Sequence, residues 1–135
     1  MTAPDPNAAL SDDEFLVRFE AHELEAFSHR DHLRLAFAYA RRGGMQAAVD
    51  GARGIKAFAE AHGAAGKYHE TMTVGWARVV ARLAIDSAPL PFADFLDAHP
   101  ELQRRGLLSA HYTEDLLHSD DARAAFVAPD LVPLP

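Results

Sequence analysis

The chain has 135 residues, 49% of them hydrophobic, and a formal net charge of −7. This length supports one domain with a hydrophobic core, and the acidic excess disfavours nucleic acid and anionic membranes as partners. The absence of cysteine excludes disulfides and thiolate chemistry and favours a cytoplasmic location. Residues 1–10 have no signal-peptide pattern and are expected to be a flexible tail before a single helical domain over residues 11–135.

Two helices are predicted in the first third of the chain. The first begins after Ser11, since the sequence SDDE has the spacing of a capping box, and it continues to about Ala26. The second begins after Ser28, where Asp31 stands at the favourable third helical position. It ends at residues 43–44, because a glycine can supply the left-handed residue that terminates a helix.

Two more helices follow, and their apolar residues also recur every three to four positions. The third is predicted from Met45 to His62, and the fourth from Lys67 to about Ile85. Prolines then indicate short helices and an extended tail, which is apolar enough to dock on the body. The short helices have predicted N-caps at Thr113 and Ser119. The predicted fold is all-α, a compact bundle of four main helices with short C-terminal helices and an extended tail.

Three histidines on predicted inward faces form the strongest candidate site. His29 and His32 share one face of the second helix, and His69 lies on the inward face of the fourth. Imidazoles suit zinc, iron, copper or nickel, and a set of three leaves an open position for water or substrate. The pattern therefore predicts a divalent-metal site, and the candidate carboxylate ligands are Glu20, Glu23 and Glu70. The alternative for each histidine is a capping or core role with a backbone partner.

Other side chains are expected to surround these histidines. Glu70 and Tyr68 are the candidate general acid or base. The candidate ligand-binding residues are Thr73, Trp76, Tyr39 and Glu23. His22 is a candidate fourth histidine, and Tyr112 and Arg123 are expected to close one side of the cavity.

The position of the histidines at predicted helix starts suggests a bound anion as the alternative to a metal ion. Both histidine segments lie in a predicted first helical turn, where free N–H groups carry partial positive charge. This favours a bound carboxylate or phosphate and opposes a cation. Three functions stay open: a divalent-metal-dependent enzyme acting on a small polar or anionic molecule, a metal-free anion-binding module or acid/base enzyme using the same histidines, and a structural or interaction module.

Three segments carry a resemblance to known proteins: FSHRDHLRLAFAYA, KYHETMTVGWARVV and HYTEDLLHSDDARAAFVAPDLVPLP. From about Phe15 to Pro135 the chain resembles a family of small uncharacterised bacterial helical proteins with an F-x-H-x-x-H-L, Y-H-E-T-x-T and PDL-x-PLP pattern. The resemblance implies no particular activity. A looser likeness is to the DinB-like helical bundles, which bind a divalent metal through three histidines. Those proteins use an H-x-x-x-H pair, whereas this chain has H-x-x-H, so the likeness rests on architecture and ligand number.

Overall fold

The structure is a computed structural model that describes residues 5–135. Over this range the chain is all-helical and has no β-strand, which confirms the predicted fold class. No helix in the described range is long and apolar enough to cross a membrane. The α-helices are α1 (Asp12–Glu20), α2 (His29–Arg53), α3 (Ile55–Ala61), α4 (Glu70–Asp86), α5 (Phe92–Ala98), α6 (Glu114–Leu117) and α7 (Asp120–Ala124). Short 3-10 helices lie at Ala65–Lys67, Pro100–Gln103 and Leu107–Ala110.

Helix α1 begins as predicted but ends early. The Ser11 hydroxyl accepts from the Glu14 amide, and the Glu14 carboxylate accepts from the Ser11 amide, so the capping box is present. The predicted end at Ala26 was wrong: the helix stops at Glu20, and His22 adopts a positive φ of 60°. The turn lets the following residues leave the helical path, and Leu24 becomes buried in the core.

Helix α2 contains the predicted glycine break as a kink. Its start has a capping box between Ser28 and Asp31, as the sequence indicates. Gly43 and Gly44 leave helical geometry, Gly44 with a φ of 78°, which favours glycine. The predicted third helix therefore corresponds to the second half of α2 together with α3, which are separated at Gly54.

The core is organised around α2 and α4, which make the most extensive contact between elements. The kink folds the second half of α2 close to the first. A Cβ atom on Gly51 would overlap the ring of Tyr39, so the close approach requires glycine there. Side chains from most elements converge on this pair, and the largest fully buried ones include Phe15, Phe37, Phe95, Leu102 and Tyr112.

The segment before α1 packs on α2. The buried guanidinium of Arg34 donates to the carbonyl oxygens of Asn7 at 2.8 Å and Leu10 at 2.6 Å. A buried cation needs such acceptors. The expected flexible tail therefore does not describe residues 5–10, and residues 1–4 lie outside the described residues.

The C-terminal tail docks on α4, as predicted. The Thr71 hydroxyl donates to the carbonyl oxygen of Ala125 at 2.9 Å and accepts from the amide of Val127 at 3.1 Å. The Tyr112 hydroxyl donates to the carbonyl oxygen of Val127 at 2.7 Å, and Leu134 is buried. Tyr112 thus lies under the tail, and not beside the histidines where the sequence placed it.

Candidate functional site

A cavity of about 560 Å³ lies between the start of α2, helix α3 and the first turns of α4. Its size suits a small organic ligand. Six of the residues singled out in the sequence line it: His29, His32, Tyr68, His69, Thr73 and Trp76. The structure adds Phe27, Phe58, His62, Lys67 and Arg105 to the wall.

His69 has a backbone partner at both ring nitrogens. Nδ1 accepts from the amide of Met72 at 3.1 Å, which makes His69 the N-cap of α4. Nε2 donates to the carbonyl oxygen of Leu117 at 2.7 Å. The prediction that His69 lies on the face of the fourth helix was wrong, because its imidazole caps a helix that begins at Glu70. Burial lowers the pKa of His69, so the neutral ring that these bonds require is favoured.

His29 is the first residue of α2 and has one fixed ring nitrogen. Its Nε2 donates to the carbonyl oxygen of Leu102 at 2.9 Å, which fixes the orientation of the ring. The ring also meets Trp76 edge-on, with centroids 4.8 Å apart. These contacts orient His29 from two sides and place it beside the indole in the cavity wall.

His32, one turn later, differs from the other two histidines. Within residues 5–135 neither of its ring nitrogens has a hydrogen-bond partner, although the ring lines the cavity. It lies tilted against Phe27, with centroids 4.6 Å apart. Burial, with a contribution from His29, lowers the pKa of His32 to about 4. The imidazole is therefore neutral near neutral pH and offers a ligand one donor and one acceptor.

Tyr68 and Glu70 form a hydrogen-bonded chain with Arg53. The Tyr68 hydroxyl donates to Oε1 of Glu70 at 2.5 Å, and Nε of Arg53 donates to Oε2 at 2.8 Å. Burial and the bond to Glu70 raise the pKa of Tyr68, which the hydroxyl of Thr73 partly offsets. Burial also acts to raise the pKa of Glu70, but the bonds from Tyr68 and Arg53 outweigh it and hold that pKa low. Glu70 stays ionised behind Tyr68, outside the cavity wall.

Several predicted site residues lie elsewhere. The Tyr39 hydroxyl donates to Glu20 at 2.5 Å, and neither residue lines the cavity. Glu23 is exposed after α1, because α1 ends before it and the helical face that would carry it is not formed. His22 packs edge-on to Phe58, outside the wall.

One of the three predicted metal ligands, His69, has both ring nitrogens engaged in hydrogen bonds to the backbone. In the part of the chain that the structure describes, no group of three or more His, Cys, Asp or Glu side chains is placed to hold a metal ion. A metal on His69 would displace either the Met72 amide or the Leu117 carbonyl from the ring. The three-histidine metal site therefore stays a prediction.

Two basic side chains line the cavity. Lys67 and Arg105 line it with exposed side chains, and within the described residues no Asp or Glu does so. Arg123 supports this wall from behind, because its guanidinium donates to the carbonyl oxygens of Gly66 and Tyr68, both at 3.1 Å. Sequence reasoning missed Lys67 and Arg105 as site residues, since Lys67 ends a short 3-10 helix and Arg105 lies in a turn, and neither carries a periodic signal.

Comparison with known proteins adds no relative: no protein-family model matches the chain, and neither the curated proteins nor the solved structures include a significant match. The resemblance noted from the three sequence segments stays a prediction.

Proposed function

We propose that this protein binds a small anionic molecule in the cavity, without a metal ion. The observation that carries the proposal is the composition of the wall. Among the described residues, the neutral imidazole of His32 has no hydrogen-bond partner, and it shares the cavity wall with Lys67 and Arg105 and with no carboxylate. An anion placed there gains a hydrogen bond and a favourable potential, whereas a cation meets unfavourable charge.

The three predicted histidines have different roles in this proposal. His32 makes the hydrogen bond to the anion. His29 supports the site through its contacts with Leu102 and Trp76. His69 shapes the wall by capping α4, while both of its nitrogens stay engaged with the backbone. His32 can contact the ligand without giving up a hydrogen bond to any residue in the described range.

Protonation of His32 is expected to make anion binding depend on pH, and this dependence can be measured. Burial holds its pKa near 4, and an adjacent anion favours the protonated ring. Anion binding is therefore expected to raise the pKa of His32 and to tighten as the pH falls from neutral toward the acid range, provided that the protein stays folded. A purely hydrophobic ligand would show no such dependence.

The test is calorimetric titration of the purified protein with acetate, inorganic phosphate and benzoate, after metal removal by a chelator. At least one anion is expected to bind stoichiometrically to the wild-type protein, and His32→Asn is expected to weaken that binding at least about tenfold, the size of a lost charge-assisted hydrogen bond. The matched control is His118→Asn, since His118 is exposed and lies outside the cavity wall.

Metal analysis of the same preparation, before the chelator is added, distinguishes the three-histidine metal site from the metal-free anion site. Stoichiometric zinc, iron, copper or nickel that is lost in His32→Asn would overturn the metal-free proposal in favour of the three-histidine metal site. Absence of binding of all three anions would overturn it as well.

A further inference from the structure

The cavity wall combines its basic groups with aromatic side chains. Phe27, Phe58, Tyr68 and Trp76 all line it. Phe27 and Phe58 lie 5.1 Å apart between ring centroids, and Phe27 lies 4.6 Å from the His32 ring. The rings are therefore part of the same surface as the imidazole that offers the hydrogen bond.

These rings are held in place by other parts of the structure. Phe58 and Phe27 both stack with the buried Phe19, at 5.5 and 5.6 Å between centroids. Trp76 belongs to α4 and meets the His29 ring, which the Leu102 carbonyl orients. Rings fixed in this way lose little conformational freedom when a ligand binds.

A small hydrated anion would use only part of this wall. Acetate or phosphate satisfies the basic groups but leaves the half-buried rings of Phe27, Tyr68 and Trp76 partly in contact with water, with the buried Phe58 beneath them. A flat apolar body buries those faces, and aromatic pairs gain additional attraction from their ring quadrupoles. The cavity volume of about 560 Å³ also leaves room for a ring beside the anionic group.

We infer that the ligand is an aromatic carboxylate, whose ring packs among Phe27, Phe58 and Trp76 while its carboxylate contacts His32 near Lys67 and Arg105. This inference rests on the proposed function and narrows it to a ligand class. The exposed side chains of Lys67 and Arg105 let the carboxylate keep part of its hydration, so its charge is not fully desolvated on binding.

Trp76 provides a direct reporter, because it is the chain's single tryptophan. The probes are benzoate, cyclohexanecarboxylate, acetate and benzyl alcohol, each titrated at fixed pH and ionic strength. Binding is followed by tryptophan fluorescence and independently by calorimetry. Benzoate is expected to change the fluorescence saturably and to bind at least about tenfold more tightly than acetate or benzyl alcohol, since only benzoate uses both the rings and the charge.

Cyclohexanecarboxylate separates an aromatic preference from general hydrophobicity. It has the same charge and a similar size, and benzoate is expected to bind about threefold more tightly because of ring–ring attraction. Phe58→Leu, which keeps an apolar side chain, is expected to reduce that preference. The matched control is Phe126→Leu, because Phe126 is half-buried beside Arg78 and outside the cavity wall.

The outcomes distinguish this inference from the proposed function. If acetate binds as tightly as benzoate, or cyclohexanecarboxylate as tightly as benzoate, the aromatic class is wrong while the anion-binding proposal stands. If acetate, phosphate and benzoate all fail to bind, the proposed function falls and this inference falls with it. Loss of the benzoate preference in Phe126→Leu as well as Phe58→Leu would show that the aromatic wall does not determine it.

Discussion

His69 and Leu117 are joined by a hydrogen bond of 2.7 Å between the imidazole Nε2 and the main-chain carbonyl oxygen, across 48 residues of sequence. The other ring nitrogen accepts from the amide of Met72. One buried side chain therefore caps α4 and ties its start to α6, so His69 contributes to the fold as well as to the cavity wall.

Replacing His69 is accordingly expected to destabilise the protein. His69→Ala removes the helix cap and leaves the Leu117 carbonyl without its partner, at a combined cost of about 2–4 kcal/mol. His69→Asn can still cap the helix and is expected to cost less. The measurement is urea-induced unfolding of metal-free protein. Unchanged stability in His69→Ala would contradict the structural role of this ring.

The depressed pKa of His32 predicts a specific dependence of stability on pH. Because the pKa is about 4 in the folded protein against 6.5 for the free side chain, the unfolded chain binds the proton more tightly. The stabilisation is therefore complete above about pH 6.5 and is lost as the pH falls toward 4, by up to about 3 kcal/mol.

The matched variant for this pH effect is His32→Phe, which cannot titrate. Unfolding free energies measured from neutral pH down to the acid range are expected to fall less steeply in the variant than in the wild-type protein. His69 contributes in the same direction, since burial lowers its pKa too, so some slope remains. Identical slopes in the two proteins would show that His32 is not buried as a neutral ring.

The basic residues of the cavity wall are expected to make binding sensitive to salt. Replacing both Lys67 and Arg105 by glutamine should weaken benzoate binding about two- to tenfold at low ionic strength, because exposed charges contribute modestly and are screened. The double variant should also lose most of the salt dependence. Lys56→Gln is the control, as Lys56 is exposed on α3 and outside the wall; an equal effect there would indicate general charge and not the site.

The close approach of Gly51 to Tyr39 predicts a steric effect away from the cavity. A Cβ atom at this position would overlap the Tyr39 ring, so Gly51→Ala is expected to cost about 1–3 kcal/mol in unfolding free energy. Gly66→Ala is the control, because open space surrounds that position. The double variant Gly51→Ala with Tyr39→Ala should lose less stability than the sum of the single variants, and additivity would contradict the contact.

Local sequence patterns predicted the starts of several helices correctly. Ser11, Ser28, Thr113 and Ser119 each accept a hydrogen bond from the amide three residues later, as their positions indicate. Such a cap depends only on neighbouring residues. The early end of α1 was not predictable in this way, since it accompanies the burial of Leu24 in a core built from distant segments.

The sequence by itself determined the helical class and the caps at Ser11, Ser28, Thr113 and Ser119, because these follow from side-chain periodicity and from contacts within one turn. Only the tertiary structure decided that His69 bonds to Leu117 while His32 stays without a partner in the described residues. It also decided that Arg105 joins Lys67 at the same cavity and that Tyr39 and Glu23 do not. These relationships depend on where separate segments meet in space, and a periodic pattern along one helix carries no information about the partner on another.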